Sequence, residues 1–289
     1  MINRSRISSG YVTALVLTGV AWLMTSCFPD PLEVQTIPEA KVEMVVSTLM
    51  IPDQTLMVLL TRTFGALDAS DDSDPQELLD FIAVNDAVVT VEGPESRDTL
   101  VFTGNGVYTG GSIAFKAGET YRLFVRSEEY GELYAATEVK PRVEFTKAEA
   151  GLYYNGYNDT LAQITYAFKD PPEKNWYMVN VQEVEQEDFI ENLLNPRAFT
   201  ILINDEGFND QTFGERFRVF PRDYGPGDTI ALSLSNISEE YYRFMKLRID
   251  NRFSFVEFIS EPLNYPSNVV GGKGYFNLYV PDVEIFVFE

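Results

Sequence analysis

The sequence predicts an all-β protein, an immunoglobulin-like β-sandwich followed by a second β-rich domain with one or two short helices. Short runs of β-branched and aromatic residues recur along the chain, and Gly, Pro, Asn and Asp break them at close intervals. In the run Thr120–Ser127, Tyr121, Leu123 and Val125 alternate with Arg122, Phe124 and Arg126, which makes one face apolar and the other mixed. With 45% apolar and 13% aromatic residues the chain has enough hydrophobic surface to fold.

Seven runs precede Pro141, namely Lys41–Leu49, Thr55–Thr63, Ala87–Glu92, Thr99–Thr103, Gly106–Thr109, Thr120–Ser127 and Leu133–Lys140. Seven short strands with turn residues between them suit a sandwich over residues 41–142. A second β-rich domain is expected over 143–289, with strands at Ala162–Lys169, Trp176–Gln182, Phe199–Asn204, Phe213–Val219, Thr229–Ser235, Gly274–Val280 and Val283–Phe288. Glu185 to Leu194 fits a short helix or an irregular crossover. A firmer helix is expected from Ser238 to Ile249, where Asn236 or Ser238 can cap and Tyr241, Phe244, Met245 and Ile249 share a face. No internal sequence repeat is evident.

The N-terminus has the order of a secretion signal: Arg4 and Arg6, an apolar run from Tyr11 to Met24, then Thr25, Ser26 and Cys27. The run is shorter than the roughly 20 apolar residues that span a bilayer. Leu23-Met24-Thr25-Ser26-Cys27 resembles a bacterial lipobox, with Met24 where Leu is preferred. Residues 1–26 are therefore expected to be cleaved, and Cys27 to carry the lipid that holds the protein at a membrane. Phe28 to Ala40 contains three prolines and no periodicity, so residues 27–40 read as a lipidated tether.

Charge and residue usage exclude several functions. Residues 1–26 hold two arginines and no acid, so residues 27–289 carry 20 bases against 44 acids, a net charge of −24. Nucleic acid is not an expected partner, because its phosphates require Lys/Arg patches. The chain has no histidine, which removes the usual general base and the commonest zinc ligand. Its one cysteine is assigned to lipid, so no thiol nucleophile remains. No acidic pair sits in a recognisable catalytic motif, and neither an enzyme nor a cofactor is expected.

Four groups of residues are candidates for function. Asp71, Asp72 and Asp74 lie in an acidic loop from Asp68 to Asp80 and supply the oxygen donors that calcium prefers, although their spacing does not follow the D-x-[DN]-x-[DN]-G pattern. A solvated charged loop is the competing reading. Tyr153, Tyr154 and Tyr157, in a Gly- and Asn-rich stretch read as a loop, offer rings that stack on sugars or peptides, unless they pack at a domain junction. Asp98-Thr99-Leu100, Asp159-Thr160-Leu161 and Asp228-Thr229-Ile230 look like the Asp-Ser/Thr-aliphatic O-glycosylation sequon, which makes Thr99, Thr160 and Thr229 candidates. Local turn and strand chemistry explains the tripeptides equally well. Finally, Asn268, Gly271, Gly272, Gly274 and Phe276 form a Gly-rich stretch that fits a wide turn setting Phe276 into a core, and no phosphate-loop lysine and hydroxyl follow.

Taken in order, several stretches resemble one family. They are the cysteine at 27, the strand with Val42, Val45 and Val46, Asp86-Ala87-Val88-Val89-Thr90-Val91, Gly106-Val107-Tyr108, Gly118-Glu119-Thr120-Tyr121-Arg122-Leu123, and the Asn-x-x-Gly-Gly-x-Gly-x-Phe end at Asn268 to Phe276. The chain is similar to Bacteroidetes lipoproteins grouped as domain of unknown function 4249 (DUF4249). The resemblance implies an outer-membrane lipoprotein on the cell surface or periplasmic face, encoded beside a TonB-dependent barrel and acting as its accessory or ligand-binding subunit. It carries over no catalytic or ligand residue, and the ligand is unknown. The alternative expectation is a structural or adhesive surface lipoprotein with no part in transport.

Overall fold

The computed structural model describes residues 41–51, 55–64, 75–111, 113–154, 156, 160–184, 199–219, 223–250 and 265–289. Eight strands build the first sandwich: β1 (Met44–Ile51), β2 (Thr55–Arg62), β3 (Val88–Glu92), β4 (Arg97–Thr99), β5 (Val101–Gly104), β6 (Val107–Gly110), β7 (Thr120–Ser127) and β8 (Gly131–Glu138). One sheet contains the order β1-β2-β6-β5 and the other β8-β7-β3-β4. The run expected at Thr99–Thr103 is two strands. It breaks at buried Leu100, where the chain leaves the sheet of β3 for the sheet of β6. Strand β7 alternates as its sequence predicts, with Tyr121, Leu123 and Val125 in the core. The Tyr121 hydroxyl turns back on the chain before it, donating to Ala114 O at 3.3 Å and accepting from Lys116 N at 2.9 Å. That is the tyrosine corner of immunoglobulin-like sandwiches.

The acidic stretch before β3 departs from its reading as a loop. A helix α1 (Pro75–Ile82) occupies its end, and it buries Leu78, Leu79 and Ile82. Proline is preorganised for the first helical position, and Glu77 in the first turn complements the helix dipole. Glu77 and Asp80 are thus helical residues, whereas Asp71, Asp72 and Asp74 lie outside the described residues.

The second sandwich uses β9 (Phe145–Tyr154), β10 (Thr160–Lys169), β11 (Trp176–Glu183), β12 (Phe199–Asn204), β13 (Thr212–Val219), β14 (Thr229–Ile237) and β17 (Asp282–Val287). Its sheets run β9-β10-β13 and β17-β14-β11-β12. With β5 set aside, this is the strand order of the first sandwich. Sequence reading misses β9, because Thr146-Lys147-Ala148-Glu149-Ala150 is rich in residues that favour helix. Pairing with β10 overrides that preference. The expected crossover at Glu185 to Leu194 lies outside the described residues.

No repeat shows in the sequence, yet the structure contains one. Before β7, Gly118 N donates to Val139 O (2.8 Å) and Val139 N to Glu119 O (3.0 Å). Before β14, Gly227 N donates to Phe288 O (2.8 Å) and Phe288 N to Asp228 O (2.9 Å). Each turn places its glycine at positive φ, +79° and +98°. The shared sequence is only Gly-[Glu/Asp]-Thr, so the equivalence emerges from the hydrogen bonds.

Between β14 and β17 the chain makes an excursion. Helix α2 (Glu239–Asp250) starts where Ser238 Oγ accepts from Tyr241 N at 3.1 Å, and Tyr241 and Phe244 are buried. After it, β15 (Val269–Val270) pairs antiparallel with β8, and β16 (Lys273–Gly274) pairs parallel with β1. Of the strand expected at Gly274–Val280, only Gly274 joins a ladder. Beyond it, Thr48 Oγ1 donates to Asn277 O and accepts from Asn277 N, both at 3.0 Å, while Phe276, Leu278 and Tyr279 are buried. These side chains share one core with Met44, Val46 and Leu123 from the first sandwich and Met178 and Ile237 from the second. The boundary at residue 143 therefore separates the sandwiches in chain order, but strand pairing crosses it. Ala40–Glu289 is one compact unit. Among the described residues no helix is long and apolar enough to cross a membrane.

Candidate functional site

The outer face of the sheet β9-β10-β13 brings cations and an aromatic ring together. Strand alternation buries Ile164, Tyr166 and Phe168 and turns Gln163, Thr165 and Ala167 to the other side. Register then sets Arg218 opposite Gln163 and Arg216 opposite Thr165 on β13, and Gly151 and Glu149 opposite them on β9. The Arg218 guanidinium lies over the Tyr153 ring, 3.6 Å from its centroid. Arg218 Nε donates to Gln163 Oε1 at 3.4 Å and Arg216 Nε to Thr165 Oγ1 at 3.1 Å. Both arginines are exposed, and among the described residues neither has a carboxylate within 4 Å. Acids outnumber bases two to one in this chain, so two arginines without acids run against composition. Each Nε is held by a neutral acceptor, which leaves the outer guanidinium nitrogens for a ligand. Gln163, Arg216, Phe217 and Arg218 line a shallow open depression.

Sequence reading placed Tyr153 and Tyr154 in a loop, but both end the strand β9, paired with Leu161 and Thr160. Tyr153 belongs to the arginine face, whereas Tyr154 is exposed and falls on the opposite side by alternation. Tyr157 lies outside the described residues. The arginines and their neutral partners were missed. Their signal was the Arg216-Phe217-Arg218 alternation inside an expected strand, which sends both charges to one face.

The Gly-rich stretch is a clasp between sheets. Asn268 Nδ2 donates to Ala136 O (2.9 Å) and Phe276 O (2.7 Å), and its Oδ1 accepts from Phe276 N (2.9 Å). Gly271 and Gly272 then cross from β8 to β1. A Cβ on Gly271 would lie 2.6 Å from Glu132 O, and one on Gly274, at φ +93°, only 2.0 Å from Val46 O. Only glycine fits there, and Phe276 is fully buried as expected. This geometry accounts for the motif by packing, with no ligand.

Cys27 lies outside the described residues. Of the sequon threonines, Thr99 is exposed at the end of β4, while Thr160 and Thr229 are half-buried at the starts of β10 and β14. Asp228 caps its own turn by accepting from Gly225 N at 2.9 Å. Among the described residues no three acidic, His or Cys side chains gather as metal ligands. Asp170 is fully buried but spoken for: Tyr177 Oη donates to its Oδ1, and Asp210 N to its Oδ2 at 2.9 Å. Burial, with the carboxylate of Asp170 beside it, pushes the Tyr177 hydroxyl far above the ordinary tyrosine range, so it stays a donor.

Comparison with known proteins gives a family and no function. The family model described as domain of unknown function (DUF4249) matches residues 30–284. No curated protein matches the chain. Among solved structures, a two-domain fibronectin type-III segment from chicken tenascin aligns over 85% of this chain and 99% of its own, at 10% identity and a TM-score of 0.22. The chicken interferon gamma receptor alpha chain aligns over 68% and 88%, at 11% identity and a TM-score of 0.21. Scores at that level carry no argument, and the sandwich assignment rests on strand order.

Proposed function

The chain belongs to the DUF4249 family, and from that premise we propose that it is an outer-membrane lipoprotein, anchored through Cys27, that serves as the accessory or ligand-binding subunit of a TonB-dependent transporter. The observation that carries the binding role is the Arg216, Arg218 and Tyr153 face. It combines unspent guanidinium donors with an aromatic support on a rigid sheet, in a protein otherwise strongly acidic. Rigid strands hold such groups more accurately than loops do. Lipid anchoring confines the protein and a barrel to one membrane, which raises their effective concentration without a tight interface.

The adhesive reading has its own support. Thr90, Phe124, Tyr134 and Val270 form a row across the outer face of the first sandwich, and the last three are exposed. An apolar row of that kind suits a lasting protein contact. The test is gentle solubilisation of native membranes and mass spectrometry of what co-purifies, with the neighbouring barrel gene deleted as control. Recovery of a TonB-dependent barrel, and its loss with Cys27→Ala, is the expected result. Recovery of the lipoprotein alone, with uptake unchanged in its deletion strain, overturns the transport role in favour of adhesion.

A further inference from the structure

We propose that the free edge of β17 takes an extended basic segment of another protein as an added antiparallel strand, one in which β-branched residues alternate with Lys or Arg. The site is separate from the arginine face and does not rest on the transport role. Strand β17 pairs with β14 on one side and, among the described residues, has no strand on the other. The hydrogen bonds of its neighbours show which backbone groups are unspent. Phe288 N donates to Asp228 O at 2.9 Å and Val184 N to Thr229 O at 3.0 Å, so Asp228 turns towards β17 and Thr229 away from it. Alternation along the ladder then directs Phe286 and Glu284 to Ile230 and Leu232, and it leaves the N–H and C=O groups of Val283, Ile285 and Val287 pointing outward.

The residues with outward backbone groups also supply the side chains of the site. Phe286 packs into the core of the second sandwich, so Val283, Ile285 and Val287 lie on the outer face of the sheet, where Ile285 is 61% exposed and Val287 63%. Natural proteins commonly guard an edge with charge. The edges of the opposite sheet follow that rule, with Lys147 and Glu149 exposed on β9 and Glu215, Arg216 and Arg218 on β13. Strand β17 instead shows a Val-x-Ile-x-Val row beside its free backbone groups, which suits a strand that adds its own β-branched residues opposite. Charge then selects the partner. Glu284 is exposed on the other face of β17, where a Lys or Arg of the added strand would stand directly across from it. A second copy of this acidic chain would bring like charge to the same edge, whereas a basic strand is drawn to it. The pleat therefore asks for a β-branched residue and a basic one in alternation.

The experiment uses the full chain and three peptides: one alternating Val with Lys, an isomer of it with the lysines grouped, and one alternating Val with Glu. Calorimetry should show the alternating lysine peptide binding more tightly than the other two, and more weakly as salt rises. Backbone N-methylation at its valines, which removes the donors aimed at β17, should abolish binding, whereas N-methylation at its lysines, whose N–H groups point away, should not. Hydrogen exchange should show the amides of Val283, Ile285 and Val287 protected by the peptide and those of Thr212–Val219 unchanged. Ile285→Lys, which places a guarding charge on the edge, should weaken binding by about tenfold or more, and Glu284→Gln should flatten the salt dependence. If either variant fails to fold, the N-methylated peptides decide the matter on the unaltered chain. No binding of the alternating lysine peptide, equal affinity for its grouped isomer, indifference to N-methylation at the valines, or absence of protection at Ile285 overturns the proposal. Sedimentation that shows a dimer of the full chain, dissociated by Ile285→Lys, assigns the edge to a second copy and overturns it as well.

Discussion

The two sandwiches share a strand order but treat their edges differently. In the first, chain crosses between the edges of the two sheets on both sides. Strands β4 and β5 cross at Leu100 on one side, and β15 and β16 cross at Gly271 and Gly272 on the other. In the second, β13 ends its sheet among the described residues with two exposed arginines on it. The first sandwich uses its Gly-rich motif for packing, whereas the second keeps Arg216 and Arg218 on its surface. A motif can therefore mark a family through its architecture while the groups fit for binding stand elsewhere.

The sharpest way to break this contrast is Gly274→Val. Its Cβ would meet Val46 O and its φ would remain at +93°, so a loss of about 4 kcal/mol or more is expected from combined clash and backbone strain. Urea denaturation reads it, and a loss below about 1 kcal/mol would mean that the clasp does not hold the first sandwich. Because Met178 and Ile237 of the second sandwich share that core, the variant should still unfold in one transition.

A smaller loss is expected from Asn268→Ala, which removes the amide serving Ala136 O, Phe276 O and Phe276 N. Leaving such groups unpaired costs about 1–3 kcal/mol. If the midpoint does not move, Asn268 has a role outside the clasp and the motif regains a claim on ligand.

Alkaline titration probes the tyrosines of the same excursion. Burial pushes Tyr241 up to about 12, and it raises Tyr275 as well. An unfolded tyrosine ionises near pH 10. The folded form holds its proton longer, so the stability from Tyr241 is fully present below about pH 10 and is lost as pH rises towards 12. The slope is about 1.4 kcal/mol per pH unit for this residue. With no histidine, stability should be nearly flat from about pH 6 to 8. A midpoint that falls between pH 6 and 8 and then holds from 10 to 12 contradicts this.

The smallest effect belongs to the second sandwich. Arg216→Gln with Arg218→Gln should change stability by no more than about 0.5 kcal/mol, because both side chains are exposed and, among the described residues, neither is ion-paired with an acid. A large loss would assign the face to folding and erase the distinction between the two halves.

What the sequence determined by itself is local. Alternation in Thr120–Ser127, the cap at Ser238 and the turn residues between runs each act over a few positions, and they locate most strands and helix α2. Arg216 and Arg218 were legible as same-face residues by the same rule, once charge within a strand is read along with hydrophobicity. Tertiary structure decided the rest. Strand β9 forms from helix-favouring residues because β10 supplies partners for its backbone, and a lone segment gives no sign of that. The stacking of Tyr153 under Arg218 joins residues 65 positions apart, through a register that no local pattern encodes. The return of Val269–Tyr279 to the first sandwich is likewise invisible in order along the chain. Its glycines announce a backbone in need of space, but only the folded sheets show that the space lies between Glu132 O and Val46 O.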